Sequence, residues 1–301
     1  MSTRGRPNGS RLRPTTPTDP TLETRPVPQY RNFSPRSFGQ GALSNLPFRH
    51  LDELDALSES AAETPEYTGV FDNTARRLLE EGQFFEKLYT EEQEYLGCDY
   101  TWGFWVFVTD YSPETLENIP RAMENLVKTV ERNLRSNKKV YMDEVVRRFK
   151  LDVVQDEQIF SGASDDRIRE EFRSQLRTLH SFSGGFPWPP ARNMACLVLD
   201  GETASMLASL EFVEVEGDRD HLEEYKAFEG KNIKVVDSSW YRQPLEWRSD
   251  TNFAHERVYR GVDQCPIVFL CDLYFDLTLG RSGAMRDLFP LHDQSKSESV
   301  E

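Results

Sequence analysis

The sequence lacks any long apolar run. Its longest reach about six to eight residues, far below the roughly 20 that a membrane-spanning helix needs. No apolar signal core follows the N-terminus, so secretion is not expected. The first residues, "MSTRGRPNGSRLRPTTPTDP", have the Arg- and Thr-rich, acid-poor composition of a mitochondrial presequence. Pro7, Pro14, Pro17 and Pro20 break the amphipathic helix such a signal requires. These features point to a cytoplasmic or nuclear protein without a membrane partner.

Cysteine is scarce. Cys98, Cys196, Cys265 and Cys271 form no CxxC pair, and no histidine stands at ligand spacing. Three of the four sit in or beside apolar runs, as buried reduced thiols do. No metal and no cofactor are expected. The phosphate loop GxxxxGK[ST] is absent, and no DxD pair follows a strand. Ser183-Gly184-Gly185 is not the GxSxG elbow of hydrolases. His180, His221 and His255 are scattered and read as surface or loop residues.

Acid is plentiful. Apolar residues make up 38% of the chain and mean hydropathy is -0.64, low for a chain folded throughout. Residues 1–50 hold eight arginines against two acids, a net of +6. Residues 51–301 hold 28 basic and 49 acidic residues, a net of -21. A body this acidic repels phosphate backbones, which leaves only residues 1–50 as a nucleic-acid contact.

Residues 1–50 carry too few apolar side chains to offset chain entropy and read as a disordered basic arm. Residues 51–65 read as a linker or short helix, 66–290 as one α+β domain, and 291–301 as a polar tail. Within the domain, "TWGFWVFV" reads as a buried strand, "KLDVV", "MACLVL", "IKVV" and "PIVFL" as further strands. Ser112 is an N-cap with Pro113 at the first helical position. The helix that follows carries Leu116, Ile119, Met123, Leu126, Val127, Val130 and Leu134 at helical spacing. Pro120 interrupts it: either the first turn is irregular, or the regular helix starts near Asn118. Ser164 caps a helix with the stripe Ile168, Phe172, Leu176 and Leu179. "CDLYFDLTL" reads as the last helix. The expected fold is α+β, a mixed sheet of about four to five strands packed by helices.

Four apolar runs end on an aspartate: Asp110, Asp200, Asp237 and Asp272. On a wholly parallel sheet they would converge at one edge, the geometry of magnesium-dependent phosphoryl chemistry. On an antiparallel sheet they would split between edges. Asp is also a favoured N-cap and turn former, and caps are the simpler reading. Two aromatic segments are the other candidates. Trp188 lies in "FPWPP", and Trp240, Tyr241, Arg242 and Trp247 lie in "SSWYRQPLEW". They either seal a core edge against proline or form a surface for a protein or small-molecule partner.

Four stretches, "YTWGFWVFVTDY", "SGASDDRIREEF", "CLVLDGETASML" and "IKVVDSSW", occur in an order that resembles a large group of uncharacterised fungal proteins. That group shares "YGF-V-Y-T-Y", "GAS...R..F", "CLVLDEE...L" and "VKVVD" over about residues 100–280. The chain departs from it at Thr101-Trp102, inserted before Gly103, and at Gly201, where the group often has Glu. The resemblance implies no activity and assigns no catalytic residue. The lack of a catalytic constellation and the aromatic loops make a non-catalytic binding or interaction module the expectation. The alternative is an enzyme of fungal specialised metabolism with a carboxylate-lined edge.

Overall fold

The computed structural model describes residues 34–42, 101–135, 140–181, 191–212, 227–238 and 261–278. All of them lie in one compact unit, Arg31–Glu301. The aromatic segments holding Trp188, Trp240, Tyr241, Arg242 and Trp247 lie outside the described residues, as do Cys98, the 51–65 linker and the 291–301 tail.

The sheet is mixed and has six described strands in the order β1-β3-β2-β4-β5-β6. They are β1 (Arg36–Phe38), β2 (Trp102–Val108), β3 (Phe149–Val154), β4 (Ala195–Leu199), β5 (Asn232–Asp237) and β6 (Val262–Pro266). β3, β2 and β4 form a parallel centre. β1 is antiparallel to β3, and β5 and β6 continue antiparallel from β4.

The helices are α1 (Pro113–Arg135), α2 (Val140–Arg148), α3 (Glu157–Phe160), α4 (Asp165–Ser181), α5 (Gly201–Ala208) and α6 (Leu270–Thr278). Strand alternation divides them between two faces. Phe104, Val106, Leu151, Leu197 and Val235 pack with α1, α2, α5 and α6 in the larger core. Trp105, Phe107, Val154, Cys196, Val198 and Val236 pack with Phe160, Ile168, Phe172 and Leu176 of α3 and α4 in the smaller one. β2 is buried along its whole length because both faces are covered.

Four expectations change. Arg36–Phe38, inside the segment read as a disordered arm, forms β1 on the outer edge of β3. The apolar run Ile267–Phe269 is a 3-10 turn, and the strand is the more polar Val262–Pro266 before it. Short apolar runs do not separate strand from helix by periodicity. α1 runs unbroken from Pro113 through Pro120, so neither the irregular first turn nor the later start is needed. Proline there leaves the Leu116 carbonyl without its helical donor. The Leu116 side chain, placed in the buried stripe by its spacing, is instead 42% exposed.

Among the described residues, no helix is long and apolar enough to cross a membrane.

Candidate functional site

The parallel centre places two of the four aspartates side by side. Thr109 N donates to Leu199 O at 2.9 Å, which aligns the ends of β2 and β4. Asp200 follows β4 directly, and Asp110 follows β2 after Thr109. The antiparallel β4–β5 pairing sends Asp237 to the other edge, opposite Ala195 at the start of β4. Asp272 is in the first turn of α6 rather than at a strand end. The four carboxylates do not share a site.

Both upper aspartates serve the backbone. Asp200 accepts from Thr203 N at 2.8 Å and caps α5. Asp110 accepts from Ser112 N at 2.9 Å and from Thr115 Oγ1 at 2.7 Å. The Ser112 amide bond, followed by the Thr115 hydroxyl, holds the Asp110 carboxyl below its ordinary range. Asp156, after β3, repeats the pattern by accepting from Ile159 N at 3.3 Å.

The same edge contains the place where open α/β sheets usually bind ligands. β2 leads to α1 on one face, and its neighbour β3 leads to α3 on the other. Connections that part in this way leave a crevice between strand ends. Here the chain fills it. The Tyr111 hydroxyl accepts from Asp156 N at 2.8 Å, and its ring packs against both cores. Gly162 N closes the other side on Thr109 O at 2.9 Å. Burial pushes the Tyr111 hydroxyl up to about 12.

The polar chemistry that is not spent on caps lies lower, on the smaller face. Asp152 and Trp105 are register partners in β3 and β2. Asp152 is buried and accepts from Ser37 Oγ and Arg192 Nη2, with Lys150 Nζ at 3.6 Å. Arg192, also buried, donates from Nη1 to Thr101 Oγ1 at 3.1 Å. Its guanidinium lies 5.4 Å from the centre of the Trp105 ring. A buried ion pair is tolerated when further hydrogen bonds satisfy both partners, and Thr101 and Ser37 do that here.

Two buried atoms on the α4 side of the sheet are unsatisfied among the described residues. Trp105 Nε1 and Gln175 Oε1 are buried and have no hydrogen-bond partner among the described residues. Buried polar groups are nearly always paired, because leaving one unpaired costs about 1–3 kcal/mol. Gln175 stands on the same helical stripe as Ile168, Phe172 and Leu176 and is 4% exposed. The two orphans lie on one side of a fixed point. The rings of Phe107 and Phe172 meet at 5.6 Å. Trp105 is two residues back along β2, and Gln175 is three residues on along α4. A crossover helix runs back along the strands it joins, so both steps lead toward the N-terminal edge of the sheet.

Sequence reasoning did not find these residues. One signal was present: the carboxylate of Asp152 stands between the apolar Leu151 and Val153 in β3. Gln175 gave none, because a lone glutamine beside the apolar stripe reads as an ordinary polar position at its margin.

Among the described residues, no group of three His, Cys, Asp or Glu side chains is arranged to hold a metal ion. Cys196, Cys265 and Cys271 are buried free thiols. Neither a known protein family, nor a curated protein, nor a solved structure matches this chain.

Proposed function

We propose that the chain is a non-catalytic binding module whose ligand seats on the α4 side of the sheet, between Trp105 and Gln175. One observation carries the reading: a buried donor and a buried acceptor, without partners, on the same side of one core. A site built to hydrogen-bond a ligand leaves its polar groups unpaired when empty. Their cost to the free chain is the kind of stability loss that binding sites carry. Aromatic and apolar walls with a few converging polar groups are the usual make-up of small-molecule sites.

The enzyme alternative narrows to Asp110 and Asp200. Their oxygens already accept from backbone or hydroxyl donors, which favours a capping role.

The test is thermal denaturation of the full chain against small organic acids, amino acids, sugars and nucleosides. At least one class should raise the melting temperature in a concentration-dependent way, and Gln175→Leu should abolish the rise. No stabilisation by any class, or an equal rise in the variant, would remove this site from consideration.

A further inference from the structure

We infer that the outer edge of β3 is a peptide-accepting surface, held in the free chain by residues 34–42, and that an extended segment of the same pattern from a partner protein replaces them there. Neither Trp105 nor Gln175 takes part. β1 brings little apolar surface: Arg36 and Ser37 are exposed, and Phe38 is only partly buried. A strand of this kind is held by its backbone ladder and a few specific contacts, and it can leave without opening either core. Those contacts select for sequence. Ser37 stands opposite Asp152 in the register and donates to Asp152 Oδ1. The other oxygen, Oδ2, accepts from Arg192 Nη2 and faces Lys150 Nζ. Asp152 is buried, so the strand on this edge has to supply a donor for Oδ1. Further along, the fit is steric. A Cβ on Gly39 would lie 2.6 Å from Phe149 O, and one on Gly41 would lie 2.7 Å from Arg148 O. Gly39 also has a φ of +95°, which favours glycine. Strand addition at a sheet edge divides its labour in this way: backbone bonds give affinity, and side-chain positions give selectivity. The matching peptide is extended, sets a serine or threonine opposite Asp152, follows it with an apolar residue, and continues as Gly-x-Gly. Residues 43–100 separate the 34–42 segment from the rest of the sheet, which makes it a tethered ligand in competition with such partners.

The experiment uses the full chain and a fluorescein-labelled peptide of residues 34–42, SPRSFGQGA. Full-length Gly41→Val is the open form, because its side chain meets the backbone oxygens of Arg148 and Phe149 and expels the tethered strand. Full-length Ser37→Ala loosens the same strand without a clash. Far-UV circular dichroism checks that both variants stay folded. Fluorescence anisotropy should show saturable binding to Gly41→Val, at least about tenfold tighter than to the wild type, whose edge is free only a fraction of the time. Ser37→Ala should bind with an affinity between the two. Placed in the peptide instead, Gly41→Val should abolish binding to the open chain. Ser37→Ala in the peptide should weaken binding about tenfold, the worth of one hydrogen bond to a charged group. Equal binding to the wild-type and open chains, or none to either, overturns the inference. Undiminished binding of either variant peptide overturns the stated sequence pattern. Unfolding of both full-length variants makes β1 part of the core and overturns the inference as well.

Discussion

The Asp110 carboxylate occupies the space that a Cβ on residue 201 would need, with Thr115 Oγ1 only 3.1 Å from the same point. Gly201 opens α5 and Asp110 closes the turn after β2, so one missing methyl locks two connections together. In a sequence with glutamate at this position, the carboxylate would have to turn away and release Ser112 and Thr115.

Gly201→Ala should therefore destabilise the chain by about 1–2 kcal/mol, although alanine is the better helix former. In an Asp110→Ala background the same change should be neutral or stabilising. A double-mutant cycle by urea denaturation measures the coupling. Additive effects would mean that the carboxylate moves aside freely.

Asp272 supplies a pH dependence. Burial, then the nearby Asp276, pushes its carboxyl up to about 6 from an ordinary 3.8. Between those values the folded chain holds a proton that the unfolded chain has released. This contribution to stability is full below about pH 4 and is lost as pH rises through 6. Asp272→Asn removes it. Wild-type stability relative to the variant should fall from pH 4 to 6.5 and then level off. A flat difference across that range would place the carboxyl in water.

The Arg192–Asp152 pair should behave as a buried ion pair. Arg192→Met leaves Asp152 buried with one cation fewer and should cost about 3–5 kcal/mol. Adding Asp152→Leu to that background should recover part of the loss. Asp152 also holds Ser37 of β1, so amide exchange at residues 36–38 should quicken in either single variant. Unchanged exchange there would mean that the backbone ladder alone holds the strand.

The thiols should be inert in the native state. Burial pushes Cys265 up to about 12 and Cys196 and Cys271 well above their ordinary value. Iodoacetamide at pH 8 should leave all three unlabelled until urea is added. Labelling of any of them in the folded chain would show that its core opens locally.

The sequence made the central elements legible because their signals were strong. β2 is β-branched and aromatic throughout, and Ser164 with the Ile168–Phe172–Leu176 stripe marks α4 without ambiguity. The same pattern reasoning missed β1, where three residues fold against an existing edge and need little apolar surface of their own. It misplaced the last strand because an apolar 3-10 turn and a buried strand look alike over three residues. The strand-end aspartates were visible, but their grouping was not, since it depends on which neighbours run parallel. Trp105 and Gln175 were hidden for a different reason. A strand tryptophan and a stripe glutamine look ordinary until the structure leaves both without a partner.

The most direct test of the binding account is the stability of Gln175→Leu without ligand. The substitution keeps the volume nearly constant and removes an acceptor that has no donor in the free chain. The account predicts a melting temperature equal to or above that of the wild type. A loss exceeding about 1 kcal/mol would mean that the Gln175 carbonyl is already satisfied in the free chain, and would contradict the account.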